Sequence, residues 1–373
     1  VTPSETDNIL ACQIAKKLGA DRTVARIDNY EYLREKNRGF FDDRGVDFLI
    51  YPELLAAHEI MTALERSWAR HWFELHDGQL ILIGVKIRDN APVIGMQLRD
   101  MTASNHNVHV AAIKRNHETI IPRGDDCIES GDIIYFTTTK DHVKDIRYMC
   151  GKKDSVIRRV LIMGGSRIAM RFANLASDRF KIKLIEINRS RCDKVAEKCE
   201  NIRVVHGDAR DIDTLRDQGI QEFDAFVALT DSSEANILTC LSAKELGVEK
   251  TIAEVEDIQF ISQAENLNIG TIINKKLIAS SKIFQILLDA DTDTARCLAL
   301  ADAEVAELEV HKGAKVIGTP VYKLKLPRDI TLAGMIRDGH GMLISGQTEL
   351  QEGDHVLVFT LGGAIHKLDK LFY

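Results

Sequence analysis

A glycine-containing loop and a single acid are the residues whose types and spacing indicate chemistry. The loop reads GGSRIA at residues 164–169, directly after the apolar run 160–163. Glycines at a strand-to-helix turn allow a pyrophosphate to approach the backbone N–H groups of a helix N-terminus. Glu186 ends the next apolar run, where a carboxylate accepts hydrogen bonds from ribose hydroxyls and repels a 2′-phosphate. Together they predict a nucleotide-binding cleft.

The loop departs from the G-x-G-x-x-G/A pattern at its middle position. Ser166 stands there, so a Cβ and a hydroxyl occupy space where the backbone usually approaches a phosphate. Ala169 ends the pattern and is compatible with close packing of helix on strand. A tight turn without a ligand would use the same two glycines. The combination of loop, preceding strand and following acid favours nucleotide binding over that simpler interpretation.

Apolar runs alternate with amphipathic stretches throughout this part of the chain. Strands are predicted at 160–163, 183–187, 204–205, 225–229, 251–255 and 271–273, and helices at 167–178, 188–199, 210–217, 233–246, 257–266 and 275–289. Such alternation predicts a parallel sheet with helices on both faces. Ligands bind such sheets at the carboxyl ends of the strands, which is where the loop and the acid lie.

The chain also repeats itself at an interval of about 220 residues, and internal repeats decide how the whole fold is interpreted. Residues 1–29 and 229–257 share 12 identities in 29 positions. The match continues in the same order from 48–60 to 271–283, from 91–95 to 314–318 and from 129–136 to 351–359. We therefore predict an α/β protein of duplicated architecture, in which each Rossmann-like doubly wound parallel sheet is followed by a small α+β subdomain.

Four domains follow from this repeat. They are the C-terminal part of a first Rossmann-like domain at 1–65, a first small subdomain at 66–150, a complete second Rossmann-like domain at 157–290 and a second small subdomain at 294–373. Some seventy residues ahead of Leu229 have no counterpart before Val1. The first Rossmann-like domain is therefore expected to be truncated in this sequence.

Composition limits the classes of function. The net charge of −7 and pI of about 6.0 argue against nucleic acid as a partner. Seven cysteines without a C-x-x-C spacing are typical of a reducing compartment. The histidines do not recur between the copies, so we predict satisfied or surface side chains and no metal site; those considered are His71, His76, His106, His109, His340 and His355.

Several of these segments resemble a known family. The pattern [VL]-T-x-S-x-x-x-N-I-L-x-C in both copies, GGSRIA, HGDA at 206–209 and EGDHVLVF at 352–359 resemble the cytosolic subunits of Trk-type potassium uptake systems, the TrkA family, built from RCK (regulator of potassium conductance) domains. The resemblance implies a non-enzymatic, peripheral gating protein in the cytoplasm. It implies a homo-oligomer, a dimer or tetramer, on a membrane-embedded potassium transporter or channel.

The resemblance also implies that NAD(H) or ATP/ADP binds at assigned residues. The implied pyrophosphate contacts are Gly164, Gly165, Ser166, Arg167 and Ile168; Glu186 would hold the ribose, Asp208 and Ala209 would border the adenine, and Thr230 and Asp231 would close the far side. In the first copy, Thr2 and Pro3 take the place of the last pair. Arg26 would reach ligand phosphates there.

The two copies differ at the position of Arg26, which is Glu254 in the second. A carboxylate facing a phosphate costs on the order of 1 kcal/mol or more, so the second site is expected to bind nucleotide more weakly. The apolar helices at 52–66 and 275–289 are expected to pack between neighbouring Rossmann units. Charged substitutions at Ile283 and Leu287 should then leave a monomer.

Two other classes of protein share such a sheet. An NAD-dependent dehydrogenase would need a substrate domain with an acid–base group near the nicotinamide, and no such constellation stands out in the small subdomains. A redox-sensing repressor would need a basic helix-turn-helix, which is not evident in this acidic chain. The dehydrogenase is the stronger of these two alternatives.

Overall fold

A computed structural model of the protein describes residues 1–76, 78–116, 118–153, 155–267, 269–288, 298–300, 303–362 and 367–372. These residues form two compact units, each assembled from two separate stretches of chain. Unit 1 comprises Val1–Glu65 and Val156–Ile283, and unit 2 comprises Arg66–Ser155 and Phe284–Tyr373. Cys297 lies outside the described residues.

The first stretch of unit 1 is a small α/β segment. Its elements are α1 (Glu5–Lys17), β1 (Val24–Arg26), α2 (Glu35–Asp42), β2 (Phe48–Ile50) and α3 (Pro52–Glu65), with a 3-10 helix at Tyr30–Leu33. β1 and β2 pair in parallel. Ser4 caps α1 by accepting a hydrogen bond from the Asp7 amide, and acids in the first turn favour the helix dipole.

The first stretch of unit 2 is an antiparallel sheet flanked by short helices. Its elements are β3 (His71–Leu75), β4 (Leu80–Lys86), α4 (Leu98–Ser104), β5 (Val108–Arg115), β6 (Glu118–Ile120), β7 (Ile133–Thr138) and α5 (Val143–Met149), with a 3-10 helix at Lys140–His142. The strand order is β3-β4-β7-β5-β6.

The second stretch of unit 1 carries the complete doubly wound domain, whose last helix continues past Ile283 into unit 2. Its elements are β8 (Arg159–Met163), α6 (Arg167–Ala176), β9 (Lys181–Glu186), α7 (Arg189–Lys198), β10 (Ile202–His206), α8 (Ile212–Asp217), β11 (Ala225–Ala228), α9 (Ser233–Glu245), β12 (Lys250–Glu254), α10 (Ile258–Asn266), β13 (Thr271–Ile273) and α11 (Lys275–Leu288), with a 3-10 helix at Ile220–Glu222. All six strands are parallel, in the order β10-β9-β8-β11-β12-β13. The strand order switches between β8 and β11, because β9 and β10 follow on one side of β8 and β12 and β13 follow on the far side of β11. Such a switch point opens a crevice at the carboxyl ends of the two strands.

The remaining stretch of unit 2 is a second antiparallel sheet. Its elements are β14 (Leu298–Leu300), β15 (Ala303–Glu309), β16 (Ile330–Arg337), β17 (His340–Met342), β18 (His355–Leu361) and α12 (Asp369–Phe372), with a 3-10 helix at Val321–Lys323. Its order, β14-β15-β18-β16-β17, reproduces that of the first small sheet strand for strand. The predicted α/β fold with duplicated small domains is confirmed.

The two small domains also share structural details that are not evident from the sequence. The register of each small sheet shifts at one bulge, between Val110 and Ala112 in the first and between Leu332 and Gly334 in the second. An ion pair to a buried aspartate also recurs in each small domain. Arg115 Nη2 lies 2.8 Å from Asp132 Oδ2, and Arg337 Nη2 lies 2.7 Å from Asp354 Oδ2.

Each unit joins its two stretches through a shared apolar core. In unit 1, Ala56 and Ile60 of α3 are fully buried in the same cluster as Ile168 and Phe172 of α6. The predicted helix at 52–66 therefore packs against the complete doubly wound domain. In unit 2, strands of both small sheets contribute to one cluster, including Leu82, Tyr135, Val305 and Phe359.

Two further observations bear on the sequence predictions. The side chain of Leu287 lies outside the described part of α11, so the monomer prediction for that helix stays a prediction. Among the described residues, no helix combines the length and the apolar character that a bilayer crossing requires.

Candidate functional site

A cleft of about 360 Å³ opens at the carboxyl ends of β8, β9, β10 and β11, within the size range of small-molecule sites. It lies at the switch point of the sheet. Its lining comprises Met163, Gly164, Ile185, Glu186, Ile187, Asn188, Arg191, Gly207, Asp208, Ala209, Arg210, Thr230, Asp231, Ser232 and Ala235. Six of the residues that the sequence assigned to this copy therefore share one cleft: Gly164, Glu186, Asp208, Ala209, Thr230 and Asp231.

The turn after β8 disfavours a side chain at both of its glycines, for different reasons. Gly164 has φ +96°, and a Cβ there would lie 2.9 Å from the Leu229 carbonyl oxygen. A Cβ on Gly165 would lie 3.0 Å from a methyl of Val195 and 3.2 Å from Glu186 Oε2. The first position thus needs left-handed backbone, and the second needs space beside the acid.

Glu186 is held by backbone donors from both sides. Its Oε2 accepts a hydrogen bond of 2.6 Å from the Gly165 amide, and its Oε1 accepts one of 2.7 Å from the Asn188 amide. The residue is only 3% exposed, and Arg191 Nη1 lies 3.9 Å from Oε2. Each carboxylate oxygen has a second lone pair, so Glu186 can still accept hydrogen bonds from ligand hydroxyls.

The side chains of Ser166 and Arg167, in the rest of the glycine loop, make contacts away from the cleft. Ser166 caps α6, with its Oγ 3.3 Å from the Ala169 amide. Arg167 extends to the first segment, where Nη2 lies 3.0 Å from Glu53 Oε1 and Nη1 lies 3.3 Å from Asp28 Oδ1. The assigned contacts of Gly165, Ser166, Arg167 and Ile168 with a pyrophosphate stay predictions. Those of the last three would rest on backbone groups, whereas the Gly165 amide already donates to Glu186 Oε2. The amides of the first helical turn have no acceptor within the helix itself.

The far side of the cleft is polar, and some of its polar groups are paired with one another. Arg210 Nη2 lies 2.7 Å from Asp208 Oδ2, and this hydrogen-bonded ion pair holds the pKa of Asp208 below its usual value. The Thr230 amide donates to Oδ1 of the fully buried Asn236 at 3.1 Å. Asp231 extends into solvent at the rim, with its side chain 86% exposed.

Sequence reasoning did not single out the two cleft arginines, Arg191 and Arg210. Arg191 lies in the first turn of α7, and its guanidinium is 3.9 Å from both Glu186 Oε2 and Asp231 Oδ2. A helical side chain leans back over the turn that precedes it. The arginine five positions after the strand-ending acid could therefore have been predicted from the sequence to lie near that acid in the cleft.

The corresponding first-copy residues also lie together, in a different electrostatic setting. Arg26 Nη1 donates to the carbonyl oxygens of Pro3 at 3.1 Å and Thr2 at 3.4 Å. Its Nη2 donates to Asp28 Oδ1 at 2.8 Å. Arg26 therefore meets Thr2 and Pro3 as expected, with its donors engaged by the segment's own oxygens. Its role toward a phosphate stays a prediction.

A matching pair of asparagines shows that positions 26 and 254 are structurally equivalent. Asn8 Nδ2 donates to the Arg26 carbonyl oxygen at 2.9 Å, and Asn236 Nδ2 donates to the Glu254 carbonyl oxygen at 2.9 Å. The sequence alignment at these positions is therefore correct.

The expected orientation of Glu254 toward a phosphate is not what the structure has. Glu254 is 3% exposed, does not line the cleft, and has Oε1 3.4 Å from Lys275 Nζ. Lys275 also pairs with Glu256. Burial opposes the lysine's charge, but its bonds to Glu256 and Glu254 outweigh burial and raise its pKa. The neighbouring cation thus offsets the repulsion on which the predicted weaker binding rested.

Burial raises the pKa of Glu254 from 4.5 to about 7, against the lowering effect of Lys275. The folded chain therefore holds this proton more tightly than the unfolded chain, and stability falls as pH rises from about 4.5 to about 7. The full shift corresponds to about 3 kcal/mol. We expect Glu254→Gln to raise the thermal midpoint of unit 1 at pH 8 and to reduce its decline between pH 5 and 7.

The matched control is Glu249→Gln, which changes an exposed acid just before the same strand and should alter neither quantity. The measurement is a series of thermal melts from pH 5 to pH 8, followed by far-UV circular dichroism. A wild-type midpoint that rises steadily from pH 5 to pH 7 and is unchanged by Glu254→Gln would contradict this assignment.

The fold and the cleft define a class of protein: a doubly wound sheet with a glycine turn and a strand-ending acid, joined to duplicated small antiparallel domains. Family models agree with this class. The TrkA-N domain model matches residues 160–275, and the TrkA-C domain model matches residues 82–151 and again residues 305–373. The chain belongs to the TrkA family.

Curated relatives match along the entire chain. The "Trk system potassium uptake protein TrkA homolog 2" of Methanosarcina mazei is 27% identical over 381 residues, which cover 100% of this chain and 85% of the relative. The "Trk system potassium uptake protein TrkA" of Haemophilus influenzae is 28% identical over 380 residues, which cover 100% of this chain and 83% of the relative.

Solved structures show the same fold at lower identity. The GsuK RCK domain superimposes with a TM-score of 0.56 and 15% identity, covering 99% of this chain and 79% of that one. A structure described as "GsuK channel bound to NAD" gives a TM-score of 0.56 and 14% identity, covering 99% of this chain and 65% of that one. These likenesses support the RCK fold assignment.

Proposed function

We propose that this chain is a cytoplasmic regulatory subunit of a potassium uptake system, and that it binds an adenine nucleotide in the cleft of unit 1. The observation that carries the proposal is the arrangement of Gly164, Glu186 and Arg191 around one crevice in a TrkA-family chain. The names of the relatives, which are Trk potassium uptake proteins, support the potassium part of the proposal.

In this proposal the adenosine ribose lies on Glu186 and the phosphates lie near the start of α6. Arg191 is half-exposed at the mouth of the cleft, and a guanidinium forms strong bidentate hydrogen bonds with phosphate oxygens. Gly164 leaves room for the phosphates to approach the backbone. NAD(H), ADP and ATP share these groups, and the GsuK structure described as bound to NAD supports the same ligand class.

Regulation would follow from a change in conformation on nucleotide binding. A ligand shifts such an equilibrium only by its difference in affinity for the two arrangements. We place this subunit, as a homo-oligomeric dimer or tetramer, on the cytoplasmic face of a membrane-embedded potassium transporter or channel. Nucleotide bound at the cleft then alters potassium flux through that partner.

Isothermal titration of the chain with NAD, NADH, ADP, ATP and NADPH tests the binding proposal. At least one of the first four should bind, and NADPH should bind at least tenfold more weakly than NADH because Glu186 repels a 2′-phosphate. No heat with any of the five would refute nucleotide binding at this cleft. Robust turnover of NADH with a panel of carbonyl substrates would favour the dehydrogenase alternative.

The role of Arg191 gives a sharper prediction. Arg191→Met should weaken nucleotide binding by about 10- to 100-fold, because it removes a charge-assisted hydrogen bond to phosphate. Arg189→Met is the matched control, since Arg189 lies on the same helix with its side chain 75% exposed and outside the cleft lining. Adenosine, which has no phosphate, should bind both variants equally. Equal losses for adenosine and for the nucleotides would show that Arg191 acts only on the shape of the cleft.

A further inference from the structure

Two histidines and a glutamate converge in unit 2. His76 Nε2 lies 2.6 Å from Glu307 Oε1, and His355 Nδ1 lies 3.0 Å from the same oxygen. The three ligand atoms all lie within 4.8 Å of one another. Across the described part of the chain, these are the three groups whose geometry could hold a metal ion together.

The two small domains build this cluster jointly. His76 follows β3 in the first, whereas Glu307 lies within β15 and His355 begins β18 in the second. Residue 309 pairs with His355 across these strands, so Glu307 is diagonal to His355 on the same face of the sheet. Neither small domain alone contains the complete set.

The cluster is also absent from the symmetric position of the first small domain. Gly84 pairs with Tyr135 there as Glu307 pairs with Leu357 in the second. Glycine thus stands where the second domain has its carboxylate. The duplication therefore does not repeat this cluster.

The donor set has the chemistry of a zinc-type site. Two imidazole nitrogens and one carboxylate oxygen suit zinc and related transition metals, whereas calcium and magnesium take oxygen ligands. Metal–ligand bonds of about 2.0–2.2 Å separate neighbouring tetrahedral ligands by about 3.3 Å. The observed separations of 2.6 and 3.0 Å would need to lengthen by about 0.7 and 0.3 Å to reach this value.

Burial and access also suit an ion. Glu307 is 8% exposed, and a buried carboxylate needs a compensating charge. The side chains of His76 and His355 are 25% and 40% exposed, which leaves a route from solvent and a place for a water as fourth ligand. An ion here would link the first small domain to the second.

We propose that His76, Glu307 and His355 bind one divalent transition metal ion of the zinc type. Sequence analysis predicted satisfied or surface histidines because none belongs to a local metal-binding spacing. The ligands instead come from distant positions, since His76 and Glu307 are 231 residues apart.

The test uses the full chain after treatment with a chelator and dialysis, with zinc chloride alone as the probe. We expect one zinc ion per chain by mass spectrometry and by calorimetric titration, and a rise of several degrees in the thermal midpoint. His76→Ala and His355→Ala should each lower zinc affinity at least about a hundredfold. His106→Ala, which changes a histidine elsewhere in unit 2 that is not part of the cluster, should leave the affinity unchanged.

Cobalt substitution distinguishes this site from binding to cysteine. A cobalt complex with nitrogen and oxygen ligands lacks the sulfur-to-cobalt charge-transfer band that thiolate ligands produce. The presence of that band, zinc affinity unchanged in both histidine variants, or no stoichiometric zinc binding would each overturn the proposal. Should His76→Ala fail to fold, His355→Ala decides, because that side chain is partly exposed and its loss leaves no cavity in the core.

Discussion

Alanine at Gly164 is expected to lower the free energy of unfolding of unit 1 by about 3 kcal/mol and to abolish nucleotide binding in the cleft. A side chain at φ +96° is strained, and its Cβ would lie 2.9 Å from both the Leu229 carbonyl oxygen and Thr230 Cγ2. Relief of this clash must move the end of β8 away from the segment after β11. Both strand ends line the cleft.

Gly247→Ala is the matched control for this change. Gly247 has φ +98°, but a Cβ there would extend into open space, so alanine should cost only about 1 kcal/mol. Urea denaturation of both variants measures the stabilities, and calorimetric titration with NADH and ADP measures binding. Equal destabilisation by the two substitutions, with nucleotide affinity intact in Gly164→Ala, would show that the close approach at the turn has no energetic role.

Asn236→Ala is expected to destabilise unit 1 by about 3 kcal/mol. This fully buried side chain links the end of β11 to the end of β12, because Nδ2 donates to the Thr230 and Glu254 carbonyl oxygens, each at 2.9 Å. Its Oδ1 accepts from the Thr230 amide and hydroxyl at 3.1 and 2.7 Å. Alanine would leave these buried and part-buried groups without their partner, and it would release Thr230 from the wall of the cleft.

The duplication supplies a comparison for this prediction within the same molecule. Asn8→Ala removes the equivalent hydrogen bonds to Thr2 and Arg26 from the first segment, where Asn8 is 3% exposed. Both variants should lose stability in urea denaturation, but only Asn236→Ala should weaken nucleotide binding at the described cleft. An equal loss of affinity in the two variants would mean that general destabilisation, and not the position of Thr230, controls binding.

The two copies place a cation and an acid at equivalent strand ends, and each copy has an oppositely charged side chain beside that group. In the first copy the strand-end cation Arg26 pairs with Asp28, which also lies 3.3 Å from Arg167 of α6. In the second, the strand-end acid Glu254 lies beside Lys275 at the start of α11. The first copy thus balances its charge through a contact that also attaches it to the complete domain.

The sequence by itself determined the parallel sheet, its crevice and the duplication. Alternating apolar runs and amphipathic stretches specify strands and helices locally, and glycine at residue 164 follows from a backbone conformation that other residues adopt only with strain. Glu186 could be assigned to the cleft from its distance along the chain, because the carboxyl ends of parallel strands lie at one edge of the sheet.

Only the tertiary structure decided which charges meet. The Glu254 side chain lies beside Lys275, which belongs to a different element. The Arg167 side chain is held by Glu53 and Asp28 of the first segment. His76 meets Glu307 because two small sheets share one core. The periodicity of a sequence indicates which residues share a face of one helix or strand. These pairs form instead where elements far apart in the chain pack together, and local residue spacing does not predict such contacts.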